Sequence, residues 1–163
     1  FIQFFPLRMG MGNLERILTS YEKEDFSGYD SDINKSLDYI IKNISKKMII
    51  FVITDKGGIY NINENTIKKL SVYHDVLFVS ISDAAITGAP AFDVNQSLYV
   101  AEYLSSNKKL QKLEQETRDK VNRENSRKLL SNRVVSVEMN SEADIVDKCM
   151  ELLERHKYAS NNR

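Results

Sequence analysis

One cysteine, no net charge and no long apolar run are what this sequence most plainly lacks, and each absence removes a class of function. Cys149 stands alone, so no disulfide can form within the chain, and its place on an apolar stripe near the end reads as a small packed hydrophobe. A cytoplasmic setting is therefore expected. Lysine plus arginine and aspartate plus glutamate number 23 each, so the chain as a whole exerts no pull on a phosphate backbone and nucleic acid is not expected as a partner. No stretch reaches the roughly 18 apolar residues of a membrane span, and no basic, apolar, small-residue leader opens the chain. No membrane contact is expected from these residues, although upstream segments could anchor a longer parent. Internal repeats and low-complexity tracts are missing too.

What is present fits one core in 163 residues, hence one domain over 1–163, with a frayed tail from Tyr158 to Arg163. Phe1-Ile2-Gln3-Phe4-Phe5 opens without methionine and reads as a strand already under way, so upstream sequence is expected and the domain is taken as truncated at its amino end. Leu14, Ile17, Leu18 and Tyr21 recur at helical spacing, as do Ile33, Leu37, Ile40, Ile41 and Ile44. Between them, Ser27 to Asp32 is a cluster of turn-formers and carboxylates in which Ser31 or Asp32 can cap the second helix.

Met48 to Ile53 is an unbroken apolar run too short for a helix, which predicts a strand buried on both faces of a parallel sheet covered by helices. Asp55-Lys56-Gly57-Gly58 ends it. A short helix near Asn65 to Tyr73 leads to a second apolar run, Val76 to Ile81, closed by Asp83. After an irregular stretch from Ala84 to Gln96, a long charged helix from Ser105 to Asn132 carries the four-residue pairs Glu114 with Arg118, Glu116 with Lys120 and Glu124 with Lys128. Arg133 to Met139 predicts a third strand nearer the sheet edge. Ser141 and Asp144 then form the signature of a capping box before a helix that buries Ile145, Cys149, Leu152 and Leu153.

The fold class expected is therefore α/β, a mainly parallel, Rossmann-like sheet flanked by helices. Ligands of such sheets gather outside the carboxyl ends of the strands, where Asp55 and Asp83 fall and which the loop Asp30-Ser31-Asp32 can reach. Oxygen ligands from separate loops suit Mg²⁺. Turn and helix capping explain the same residues without a ligand. His74 and His156 precede a strand and end a helix, no nucleophile is paired with a base, and Gly57-Gly58 is too short to cradle a phosphate.

The order Ser31-Asp32-Ile33-Asn34-Lys35-Ser36-Leu37, then Ile49 to Asp55, then Asp75 to Asp83 resembles a von Willebrand factor A domain. Within that group it is similar to the bacterial family called domain of unknown function fifty-eight, through Phe5-Pro6-Leu7, Asn13 to Leu18, Met48 to Asp55, His74 to Asp83, Phe92-Asp93-Val94 and Tyr99 to Leu104. The resemblance implies a metal-ion-dependent adhesion site to which Ser31 and Asp55 would contribute, with Asp30, Asp32, Lys56 and Asp83 on the partner-binding rim. It implies Mg²⁺ in the full-length protein, none bound in this fragment, and a MoxR-type AAA+ ATPase as partner. The family's leading Asp-x-Ser-x-Ser loop has no counterpart here, Ser31 stands where threonine is usual, and Lys56 puts a positive charge beside the metal position.

The expectation is a non-enzymatic protein-interaction module. The alternative is a small metal-dependent α/β hydrolase of phosphate esters, with Asp55 and Asp83 on Mg²⁺. With the upstream strands gone, the edge of the Met48 to Thr54 strand would lie open, and self-association or refolding of the amino-terminal segment onto it is expected.

Overall fold

The computed structural model describes residues 5, 8–24, 32–82, 85, 87–88, 92–93, 98–99 and 106–161. Two amphipathic helices, α1 (Met11–Lys23) and α2 (Ile33–Asn43), precede strand β1 (Ile49–Asp55). Asp32 caps α2 by accepting from the Asn34 amide at 3.1 Å. Two short helices, α3 (Lys56–Asn61) and α4 (Glu64–Tyr73), lead to β2 (Asp75–Ile81), and a two-residue pair, β3 (Phe92–Asp93) with β4 (Leu98–Tyr99), is antiparallel. The long helix α5 (Lys108–Ser131), strand β5 (Val135–Met139), a 3₁₀ turn (Glu142–Asp144) and α6 (Ile145–Asn161) complete the order.

The sheet is wholly parallel and runs β1-β2-β5, so β5 lies at an edge as its mixed sequence predicts. Val52 lies opposite Phe78, and Val79 opposite Val137. One face carries the larger core: Val52, Val76 and Phe78 pack with Leu37 of α2, Ile59 of α3, Ile67 and Leu70 of α4, and Leu129 of α5. On the other face Leu77, Val79 and Val137 are covered by Leu152 of α6. This is a helix-flanked α/β fold.

That second layer does not reach β1. Ile49, Phe51 and Ile53, which share its second face, are 50%, 47% and 64% exposed. The expectation of a strand buried on both faces is therefore corrected: β1 is covered on one side only, and among the described residues it pairs only with β2. Helix α1 buries none of its residues, leaving Leu14, Leu18 and Tyr21 exposed. On α6 only Leu152 of the expected stripe is fully buried, while Ile145 and Leu153 are about half exposed. The helix continues through the expected tail as far as Asn161.

The end of α5 shows how the sequence makes a sharp exit without glycine. Arg133 takes a left-handed backbone, φ 55°, and its amide donates to Leu130 O while that of Val134 donates to Leu129 O, each at 3.0 Å. Two orphan carbonyls are satisfied this way, and buried Val134 returns to the core beside Leu129. The ion pair Glu114 with Arg118 forms at 3.1 Å. The other two expected pairs do not: Glu116 meets Lys112, and Lys128 turns away to α3.

Candidate functional site

Because all three strands are parallel, their carboxyl ends converge on one rim. Asp55 ends β1 there, and its Oδ1 accepts from the Gly58 amide at 2.5 Å, making it the cap of α3. The capping role weighed from sequence is thus its observed role. An alanine Cβ at position 58 would lie 1.9 Å from Thr54 Oγ1, so the turn that seats this carboxylate requires glycine.

Lys56 does not stand free beside Asp55. Its ammonium pairs with Glu138 of β5 at 2.7 Å, across the end of β2. Ser82, just past β2, donates from its hydroxyl to Glu138 at 2.5 Å and meets Asn140 Oδ1 at 2.7 Å. Partial burial opposes ionisation of Glu138, but the Lys56 ammonium and the Ser82 hydroxyl outweigh it and hold the carboxyl below its ordinary value. Past this cluster, Asp144 Oδ2 accepts from the Asn140 and Ser141 amides at 3.1 and 3.2 Å, which fixes the entrance to α6 as the capping signature predicts.

Asp32 sits at the start of α2, which is tied to the far end of α3. Asn34 donates to Asn61 O and accepts from the Asn63 amide, both at 3.0 Å. Six helical residues separate the two tips, about 9 Å of rise, so Asp32 and Asp55 lie toward opposite ends of α3 rather than in one cluster. Burial works against ionisation of Asp32, and Lys35 more than offsets it, so its carboxyl is held below the usual value. Ser31, Asp30 and Asp83 lie outside the described residues. Among the described residues no group of three or more His, Cys, Asp or Glu is gathered as metal ligands would be, and one Asp55 oxygen is already engaged. The described donors alone do not make a Mg²⁺ site.

From the rim a cleft of about 550 Å³ runs along the open side of β5 between α5 and α6. Lys56, Glu138 and Asn140 line it near the rim, Ile59, Leu129 and Val137 give it apolar lining, and Lys148, Glu151 and Arg155 reach it from α6. Those three α6 side chains form one ion network, with Glu151 at 2.8 Å from Lys148 and 2.5 Å from Arg155. Hydrogen bonding from Lys148 leads the causes that keep the Glu151 carboxyl below its normal range. Arg155 also donates to Ser136 O at 3.2 Å, on the edge of β5 that no described strand pairs.

Two cleft residues are left unsatisfied. Ser80 and Asn125 are more than nine-tenths buried, and among the described residues neither Ser80 Oγ nor Asn125 Oδ1 has a hydrogen-bond partner. Asn125 donates through Nδ2 to Lys56 O at 2.8 Å, which fixes its amide and leaves the carbonyl oxygen facing no donor. A lone buried polar atom of this kind costs about 1–3 kcal/mol. Sequence reading misses Ser80, Asn125, Ser82 and Glu138, which come from three elements and show no common spacing. The only signal was weak: polar residues interrupting otherwise apolar strands and a helix face.

His74 and His156 belong elsewhere, at the amino end of β2. His156 lies 3.9 Å from Asp75, which Lys47 holds at 3.1 Å, and His74 is buried with Nδ1 unpartnered. No described helix is long and apolar enough to cross a membrane. No protein-family model, curated protein or solved structure matches this chain.

Proposed function

We propose that this chain is a non-enzymatic protein-interaction module of von Willebrand factor A-like architecture, and that its docking surface is the free edge and bare face of β1. One observation carries this reading: a strand that is uncharged from Ile49 to Thr54 leaves Ile49, Phe51 and Ile53 exposed by about half or more. Edges of soluble sheets are ordinarily protected by charge, proline or a bulge, and from Ile49 to Thr54 this one has neither charge nor proline.

The occupant is a second copy of the chain. Two β1 strands paired antiparallel about a two-fold axis keep the odd-numbered residues of both copies on one side, so Phe51 and Ile53 of one copy meet those of the other. The result is a continuous sheet with three strands from each copy. A net charge of zero sets up no overall repulsion between copies. Light scattering across a concentration series tests it: the chain runs as a dimer, and Ile53→Lys runs as a folded monomer by circular dichroism. A wild-type chain that stays monomeric, alone or when it captures another protein's strand, overturns self-pairing.

The resemblance adds a second surface, the carboxyl rim, where Ser31 and Asp55 would hold Mg²⁺ in the full-length protein and grip an acidic side chain of a MoxR-type ATPase. The convergence of three strand ends on that rim supports the idea. Calorimetry with Mg²⁺ on the full-length protein tests it, with Asp55→Ala expected to abolish the binding heat.

A further inference from the structure

Helix α1 and the bare face of β1 are the two halves of one apolar contact, and we infer that α1 is a strap that closes over that face within its own chain. The strap goes beyond the pairing of β1 with a second copy, because it covers the face of the strand and leaves the edge open.

On its own, α1 has little to keep it helical. Its 13 residues are about the length at which an isolated helix is only marginally stable in water, and Gly10 offers no side-chain cap at its start. The sequence nonetheless places Leu14, Ile17 and Leu18 on one side, the spacing of a face that packs. Leu14 and Leu18 are about half exposed, so the structure shows the strap open. A short amphipathic helix of this kind draws its stability from the surface it covers.

A seat of matching size lies beside α6. Leu152 faces the sheet, and Lys148, Glu151 and Arg155 on one flank of α6 turn to the cleft along the outer edge of β5. At roughly 100° per residue, Val146, Cys149 and Leu153 fall on the opposite flank, toward β2 and β1. The approach of His156 to Asp75 of β2, at 3.9 Å, agrees with that orientation. Val146 and Leu153 are exposed there, and Ile81 of β2 extends the bare face of β1 beside Asp55. Strands are spaced about 4.8 Å and packed helices about 8–10 Å, so a helix laid against this flank comes to rest over β1. The lengths agree as well: α1 rises about 20 Å and β1 runs about 23 Å. The tether suffices too. Helix α2 packs on the opposite face through Leu37, and residues 24–32 can span up to about 30 Å, against roughly 20 Å between helices on the two faces of a sheet.

The sequence has no tryptophan, so Leu18→Trp makes the strap report on itself. In the full chain this tryptophan emits at short wavelength and is shielded from acrylamide, and Phe51→Asp in the same chain moves it to the emission of a solvent-exposed ring. Leu153→Asp, on the surface of α6, does the same while circular dichroism shows the fold unchanged, which separates loss of the seat from loss of the fold. Closure within one chain survives dilution, and tryptophan-free wild type added to the chain carrying Leu18→Trp and Phe51→Asp does not restore the short-wavelength emission. The inference is overturned if the Leu18→Trp chain emits as an exposed ring, if either seat variant leaves its emission unshifted, or if added wild type restores it, which would put α1 on a second copy. Light scattering reads the pairing of β1 separately: a monomer with a shielded tryptophan sinks that pairing and keeps the strap, and a dimer with an exposed one does the reverse.

Discussion

At position 58 an alanine Cβ would meet Thr54 Oγ1 at 1.9 Å and Thr54 Cβ at 3.1 Å, whereas at position 57 its nearest neighbour is Asp55 Oδ1 at an ordinary 3.5 Å. The two adjacent glycines therefore predict opposite outcomes. Gly57→Ala should stabilise the chain by about 0.5–1 kcal/mol, because alanine loses less backbone freedom in a helix. Gly58→Ala should destabilise by about 1–3 kcal/mol, since a β-branched neighbour has to move. Urea denaturation of both variants checks the pair. Glu138 gives a second test at this scale. Its folded carboxyl is held below its ordinary 4.5, so the stability it lends is complete above that value and is lost as pH falls through the lower folded one. Wild type and Glu138→Gln should differ most near neutrality and converge in acid, which thermal melts over a pH series would register. Of this, the capping role of Asp55 alone was legible in the sequence. Gly57-Gly58 read as the end of a strand because two glycines disfavour a helix, and the Asp55 cap and the packing of Ile59 favour α3 against that preference.

Elements with strong periodicity were legible, and those held by distant side chains were not. The apolar runs at 48–53 and 76–81 and the stripes of α2 and α4 give the larger core almost directly. The charges of α5 misled in one instructive place. Lys128 sits four residues from Glu124, yet its ammonium lies 3.1, 2.6 and 2.8 Å from the carbonyl oxygens of Ile59, Tyr60 and Ile62. It closes the end of α3 from an element more than sixty residues away in sequence, which no local pattern announces. Lys128→Met should therefore cost about 1–3 kcal/mol, more than the loss of a surface ion pair, because carbonyl groups that it satisfies are left behind. An equilibrium unfolding curve decides between the two magnitudes. Helix α1 shows the converse: its stripe was readable, but the face it would cover was not, and it buries none of its residues.

For the molecule as a whole, the sequence conveyed the α/β class and the convergence of strand ends, because a parallel sheet follows from apolar runs separated by helices. The cleft could not be read, since it is assembled from α3, β2, α5, β5 and α6 and exists only once all five are in place. The same dependence has a temporal side. Phe78, at the centre of the larger core, is closed over by Leu129 and Val134, and β2 gains its second neighbour only from residues 135–139. A chain emerging from the ribosome thus carries two hydrophobic strands through the whole of residues 82–107 before the helix that shelters them begins. Nascent chains arrested ahead of residue 134 should be cut readily by protease and should engage chaperones, and those arrested after α6 should resist. The late position of β5 makes the last third of the polypeptide the step that commits everything made before it.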